Sequence, residues 1–456
     1  MYQLIVKNGT LVTADSMFQA DIGIKNGTIV TIAKEIEEGA IRVIDASNQL
    51  VFPGFIDSHI HSSVPGFEHY EDFQHITSAA AAGGATTVID MPGINNPTCY
   101  SGSICKTKKE KLKNTAKIDY ALWGGCFEGT TQELPGLIGE GVVALKGFMC
   151  PGDELASLGA IREELTIIKD MDMVAGFHCE DPSIIAYEEK RLNESGDTSR
   201  AAFLKSRPVI SEVIATQNVI ELAKETGAKI HICHVTHTRV AEVIKRAKQE
   251  GVKVTAETCG NYLMFDEQDL LQKGALYKCT PPLREAYVKE ELWKYVVDGT
   301  IDCISSDHSP TTFENKDEEK LGIFGIWAGV MSAQSLFQVV FHEAVTKRHI
   351  SPTVLSRACS KAPAKIFGLD DRKGFLQCGY DGDLTIVDPD KDWKIETKDL
   401  LYVNKMSAYV GLEGKGCAVC TISKGNVIAL NGKIVEEEFP GELLTRKTER
   451  RENLGE

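Results

Sequence analysis

No stretch of this chain approaches the roughly 20 consecutive apolar residues needed to span a bilayer. Its opening, Met1-Tyr2-Gln3-Leu4-Ile5-Val6-Lys7, also lacks the basic and then long apolar regions of a secretory leader. Positive charge is in short supply: Asp and Glu number 65 against 50 Lys and Arg, for a formal net charge of -15. That balance argues against a nucleic-acid or anionic-membrane partner, since both need basic surface. Internal repeats and low-complexity segments are absent as well. Cysteine is plentiful at 13, but the number is odd and the residues are scattered through apolar segments. Such usage reads as buried free thiols in a reducing compartment rather than a disulfide framework, so the expected location is the cytoplasm. Cys417 and Cys420 have Cys-x-x-Cys spacing, yet no second pair or nearby histidine completes a zinc ribbon, and they read as packed thiols.

At 456 residues the chain suits a large catalytic domain plus a smaller one. Short β-rich runs at 4–6, 22–24 and 28–32 are punctuated by Asn8-Gly9 and Asn26-Gly27, both hairpin signals. The same texture returns at 383–388 and 418–423, with Lys424-Gly425-Asn426 as a turn. Between these ends, apolar strands alternate with helical patterns, the signature of parallel α/β architecture. Eight strands are predicted, at 51–59, 86–91, 118–124, 142–148, 173–178, 229–234, 252–258 and 302–307. The expected fold is α/β: a (β/α)8 TIM-like barrel over 52–371, with a small β-sandwich domain formed by both chain ends, 1–51 and 372–445. A charged tail follows at 446–456, and Lys106 to Lys113 reads as a solvated helix face.

A barrel of this kind places its active site at the carboxyl ends of the strands. The first strand ends in Asp57-Ser58-His59-Ile60-His61; two histidines two residues apart on an extended chain point the same way. Imidazole is the commonest protein ligand for divalent transition metals. The fourth strand carries Lys146, the fifth ends in His178, the sixth in His234 and the eighth in Asp307. Any one of these residues has an ordinary structural explanation, but six potential metal-site groups at one end of five strands are hard to explain by packing. Lys146 stands in an apolar strand, where an ammonium must lose its charge or find a partner. A third state suits this company better: the neutral amine takes up carbon dioxide to give an anionic carbamate able to bridge two metals.

The order His-x-His, Lys, His, His, Asp in a barrel flanked by a terminal β domain resembles the amidohydrolase superfamily. Within it the chain is similar to the cyclic amidases, the allantoinases, dihydroorotases and hydantoinases or dihydropyrimidinases. The resemblance runs over nearly the whole chain, through Pro53-Gly54-Phe55-Ile56-Asp57-Ser58-His59, Gly83-Gly84-Ala85-Thr86-Thr87, Ser206-Arg207-Pro208, Thr280-Pro281-Pro282-Leu283-Arg284 and Ser306-Asp307-His308-Ser309-Pro310. It implies two divalent ions per subunit, expected to be zinc although Fe, Co and Mn suit the same donors. His59, His61 and Asp307 would bind one ion, His178 and His234 the other, and N6-carboxylated Lys146 would bridge them. His231 would then be a core or supporting residue, and His308 would point elsewhere. A hydroxide between the ions would attack a ring carbonyl, with Asp307 as general base and then acid toward the leaving ring nitrogen. The resemblance also implies a homotetramer.

The substrate is argued from departures. Dihydroorotases carry an arginine shortly after His-x-His to hold a carboxylate, whereas this chain has Ser62-Ser63-Val64-Pro65-Gly66. Hydantoinases place a tyrosine five residues after the bridging lysine, where this chain has Pro151. A small neutral cyclic amide or ureide is therefore expected. Trp327-Ala328-Gly329, Lys278-Cys279-Thr280 and Ser407-Ala408-Tyr409-Val410-Gly411 resemble the allantoinases, implying hydrolysis of allantoin to allantoate in purine-nitrogen catabolism. The same resemblance makes Thr280 a backbone contact for the substrate amide. Val64 and Gly260-Asn261-Tyr262 depart from the allantoinase pattern, which leaves other hydantoins and dihydropyrimidines as the rival substrates and a non-catalytic assembly role as the outside alternative.

Overall fold

The computed structural model describes residues 1–152, 154–438 and 440–446. Eight strands form one parallel sheet in chain order: β6 (Phe55–Ile60), β7 (Ala85–Asp90), β8 (Asp119–Gly125), β9 (Ala144–Phe148), β10 (Val174–His178), β11 (Lys229–Ile232), β12 (Val254–Cys259) and β13 (Cys303–Ser305). The ring closes where Ile60 bridges His308 and His61 N donates to His308 O at 2.9 Å. These strands are buried on both faces by barrel interior and outer helices, which is why they read as continuous apolar runs. Trp123 and Phe367 fill the barrel interior below the site, and His231 packs between them.

A second sheet draws on both ends of the chain. Its members are β1 (Tyr2–Val12), β2 (Met17–Lys25), β3 (Thr28–Ala33), β4 (Ala40–Asp45) and β5 (Leu50–Pro53) from the first end, and β14 (Leu384–Lys394), β15 (Glu413–Ser423), β16 (Asn426–Leu430) and β17 (Lys433–Ile434) from the second. The antiparallel pairing of β5 with β14 joins the two halves. Its core is aliphatic, with Leu4, Val6, Ile22, Ile24, Leu384, Ile386 and Ile422 packed together.

Three local expectations change. The apolar run from residue 51 is two strands rather than one, split at Gly54, where any Cβ would meet Thr86 Oγ1 at 2.1 Å. Asn8-Gly9 makes no hairpin; it is an irregularity inside β1, where a Cβ on Gly9 would meet Val51 at 2.5 Å. Asn26-Gly27 and Lys424-Gly425 do turn the chain, between β2 and β3 and between β15 and β16. Lys106 to Lys113 falls mostly on the helix Gly102–Leu112, but Lys108 is fully buried and pairs with Asp90 at 2.6 Å. Of the charged tail, only Arg446 lies within the described residues, and it is buried, donating to Val143 O at 3.1 Å. All 13 cysteines are free, Cys417 and Cys420 on β15 among them. No helix among the described residues is long and apolar enough to cross a membrane.

Candidate metal centre

The carboxyl ends of the barrel strands open into a cavity of about 210 Å³ whose wall includes His59, His61, Lys146, His178, His234, Thr280 and Asp307. All of the sequence-predicted site residues therefore meet in one place. The ligand atoms of His59, His61 and Asp307 lie within 4.8 Å of one another. Asp307 Oδ1 sits 3.2 Å from His59 Nε2 and 3.8 Å from His61 Nε2. On the other side the rings of His178 and His234 are 4.5 Å apart, and His234 is 5.7 Å from His59. Lys146, at 1% exposure, reaches into the space between and lies 5.1 Å over the Phe148 ring.

Carboxylates behind the histidines fix their orientation. Glu257, fully buried on β12, accepts from His59 Nδ1 and stands 3.5 Å from His231 Nε2. Glu180, also fully buried, accepts from His178 Nε2 at 2.7 Å and from Arg207 Nη1 at 2.6 Å. Arg284 donates to Glu212 at 3.1 Å, to Thr236 Oγ1 at 3.0 Å and to the Arg207 carbonyl at 2.7 Å, tying together the segments that follow β10 and β11. Asp57 accepts from Ser306 N at 2.9 Å and so fastens the His59 strand to the Asp307 segment. Two of the gathered residues, His234 (φ 38) and Asp307 (φ 46), hold left-handed backbone conformations that branched-Cβ or bulky residues avoid. Such strain persists only where the surroundings over-determine it, and it concentrates at functional sites.

The donor set fits a divalent cation. His59 hydrogen-bonds through Nδ1 to Glu257 and turns its Nε2 toward a carboxylate oxygen at 3.2 Å. A cation shared by that nitrogen and that oxygen suits the pair, and a carboxylate behind a ligating imidazole is the usual supporting arrangement. Counting protein groups alone, burial opposes protonation of His59, but Asp307 and Glu257 overcome it and lift its pKa to about 10; a cation would take that proton's place. Burial, with His59 and Lys146 beside it, holds His61 well below its ordinary value and therefore neutral, as a ligand must be. Burial pushes the Asp307 carboxyl up, against the pull of His59 and Lys146. For Lys146, burial disfavours the ammonium, while Cys233, Glu257 and Asp307 outweigh it and raise the pKa. Cations in the site would reverse that balance and favour the neutral amine.

The neighbouring histidines stay out of the cavity wall. His308 accepts from Ser332 N at 3.1 Å and faces Glu71, and His237 caps the helix Thr238–Gln249 by accepting from Arg239 N. Trp327 is a wall residue: it follows the helix Glu318–Gly325 and donates from Nε1 to Ser309 Oγ at 3.1 Å. The supporting carboxylates Glu257 and Glu180 were not singled out in the sequence. A signal exists for Glu257, because a carboxylate inside an apolar strand needs a partner just as Lys146 does, whereas Glu180 lies past the end of β10. Glu154, from the loop after β9, also lines the cavity and was likewise passed over.

The sequence pattern of the Amidohydrolase family matches residues 50–428. An allantoinase of Rubrobacter xylanophilus is 35% identical over 438 residues, covering 95% of this chain and 96% of the relative. An allantoinase of Salmonella choleraesuis is 34% identical over 435 residues, covering 94% and 95%. Among solved structures, L-hydantoinase (dihydropyrimidinase) from Arthrobacter aurescens superposes with a TM-score of 0.95 at 31% identity, covering 98% of this chain and 100% of that one. Dihydropyrimidinase from Brevibacillus agri gives a TM-score of 0.91 at 28% identity, covering 97% and 98%.

Proposed function

This chain belongs to the Amidohydrolase family and is a cyclic amidohydrolase, and from that premise we propose that its substrate is allantoin, opened to allantoate in purine-nitrogen catabolism. The observation that carries the choice is the likeness to two allantoinases over nearly the whole length of each chain. The cavity supports it: at about 210 Å³ it suits a small ring, and among the described residues its wall offers no arginine for a carboxylate.

We assign His59, His61 and Asp307 to one divalent ion and His178 and His234 to a second. Lys146 would serve both ions once carboxylated: carbon dioxide adding to the neutral Nζ forms an N–C bond and releases one proton. When bound, the ions would polarise a ring carbonyl and acidify a water. The chain supplies the proton chemistry. Asp307, with its carboxyl raised by burial, takes the proton of the attacking water and returns it to the departing ring nitrogen. Glu257 and Glu180 keep the ring nitrogens of His59 and His178 aimed correctly, and the Thr280 backbone positions the substrate amide. Zinc is the metal this reading expects, and a homotetramer in the cytoplasm is the assembly and location, the latter supported by 13 free thiols.

A second reading has its own support: the 0.95 TM-score to an L-hydantoinase favours a simpler hydantoin or dihydropyrimidine as the ring. Ring opening of allantoin, hydantoin and dihydrouracil by metal-loaded protein with bicarbonate present separates the two. Preferential allantoate formation is the expected result. Dihydrouracil or hydantoin turnover without allantoin turnover would overturn the substrate and keep the mechanism.

A further inference from the structure

His61 lies one residue past the end of β6, so the strand ladder does not hold it, and Ser63 turns the chain away at φ 56. Its ring also lacks the backing that Glu257 gives His59 and Glu180 gives His178. The buried His61 Nδ1 has no hydrogen-bond partner among the described residues. The direction of the ring must therefore be set by the backbone on either side. His61 N donates to His308 O at 2.9 Å, and the next N–H, that of Ser62, donates to Asp90 Oδ1 at 2.9 Å. Ser62 Oγ donates to the other oxygen of the same carboxylate at 2.8 Å. Asp90 is the last residue of β7 and is fully buried. So is the ammonium that meets it: Lys108 reaches in from the helix Gly102–Leu112 and places Nζ 2.6 Å from Asp90 Oδ2.

We propose that Asp90 and Lys108 are positioning residues for His61: Asp90 clamps the Ser62 peptide that sets the ring's direction, and Lys108 holds the carboxylate to that task. The inference rests on the metal assignment proposed above and deepens it. One carboxylate here serves three donors, two of them on the residue that follows His61, so the clamp acts on both the backbone and the side chain of Ser62. Hydrogen bonds to a charged acceptor are the strong ones, which suits a hold on a single peptide at the start of a loop. The ammonium is needed because a buried carboxylate stripped of its cation is strongly disfavoured. Bare, it would be free to turn toward the cation beyond His61 and release Ser62. The pair also ties His61 to the helix that follows β7, which no other proposed ligand uses.

The test compares zinc-loaded wild-type protein, prepared with bicarbonate, with two paired variants that strand no charge. Asp90→Leu with Lys108→Met removes both charges and the acceptors of Ser62. Asp90→Asn with Lys108→Met restores one acceptor oxygen without the charge. Zinc retained during dialysis against graded chelator is the readout, beside the thermal midpoint of the metal-free protein. The apolar pair should release one of its two ions about tenfold to a hundredfold more readily, while release of the other changes by less than about threefold. The asparagine pair should recover most of that loss at an unchanged metal-free midpoint, which a merely structural role would not produce. Ser62→Ala removes only the Oγ bond and leaves the ion pair, so it serves even if the apolar pair does not fold; it should shift the same ion by about threefold. Wild-type retention in the apolar pair or in Ser62→Ala, or equal weakening of both ions, would overturn the inference alone. Wild-type protein that never takes up a second ion would overturn the metal assignment instead, and the inference with it.

Discussion

Glu257→Gln tests the site's architecture at one atom. The substitution keeps side-chain volume and one acceptor oxygen, but removes the charge and adds an amide NH2. In the native site Glu257 is fully buried, accepts from His59 Nδ1, lies 3.5 Å from His231 Nε2 and accepts from Ser58 Oγ at 3.4 Å. Glutamine cannot serve both histidines with oxygen, so one of them will face a donor. The carboxylate also makes His59 a more basic ligand; removing such a partner lowers metal affinity by roughly 10- to 100-fold, or about 1.4–2.7 kcal/mol. The assay is metal retained after dialysis against graded chelator, read alongside the thermal midpoint with saturating metal. Glu180→Gln, acting on His178, should show the same weakening because it is the mirror arrangement on the other side of the site. Retention equal to the wild type in both variants would refute the claim that these carboxylates orient metal ligands.

Other perturbations probe different layers. Lys146→Ala should lose the metal pair and the activity together, with recovery by added short-chain carboxylic acids; unchanged activity would rule out the carbamate's role. Glu164, buried on the helix Leu158–Asp170 with no hydrogen-bond partner for either oxygen among the described residues, has its carboxyl lifted by burial, and by Glu163 and Glu128, to about 7. A carboxyl raised in the folded state favours folding least where it must ionise, so its cost is absent below about pH 4.5 and complete above pH 7, reaching about 3 kcal/mol. Glu164→Gln should therefore raise the thermal midpoint at pH 8 and leave it nearly unchanged at pH 4; equal effects at both would contradict the assignment. Lys316 donates to the carbonyls of Ala275, Trp327 and Gly329 at 3.0, 3.0 and 2.8 Å, bracing the wall that carries Trp327. Lys316→Met should strand those acceptors, destabilise by about 3 kcal/mol and raise KM; a variant with native stability and KM would dismiss the bracing role.

The barrel was legible because its strands are buried on both faces, so each apolar run announced itself. His59, His178, His234 and Asp307 stood out because they sit at or just past the ends of apolar strands, and Lys146 because it is a charged residue inside one. What escaped was anything decided by approach rather than pattern. The break at Gly54 lies inside one apolar run, where the chain passes from one sheet to the other and Thr86, more than 30 positions away, leaves no room for a Cβ. Asn8-Gly9 carries hairpin chemistry, yet Val51 crossing above it turns the glycine into a packing requirement. Lys108 stands among five lysines of a charged stretch and looks solvated, but Asp90, which accepts from Ser62 N at 2.9 Å, draws it inside to pair behind His61. Glu257 and Glu180 act through the histidines they hold, a pairing that the fold makes and the sequence pattern does not display.

The most direct test is a metal titration of allantoin turnover by the bicarbonate-treated protein, scored as ions bound per chain. The account predicts a rate that climbs to a plateau at two divalent ions per chain. A plateau at one ion, or turnover indifferent to metal, would contradict it.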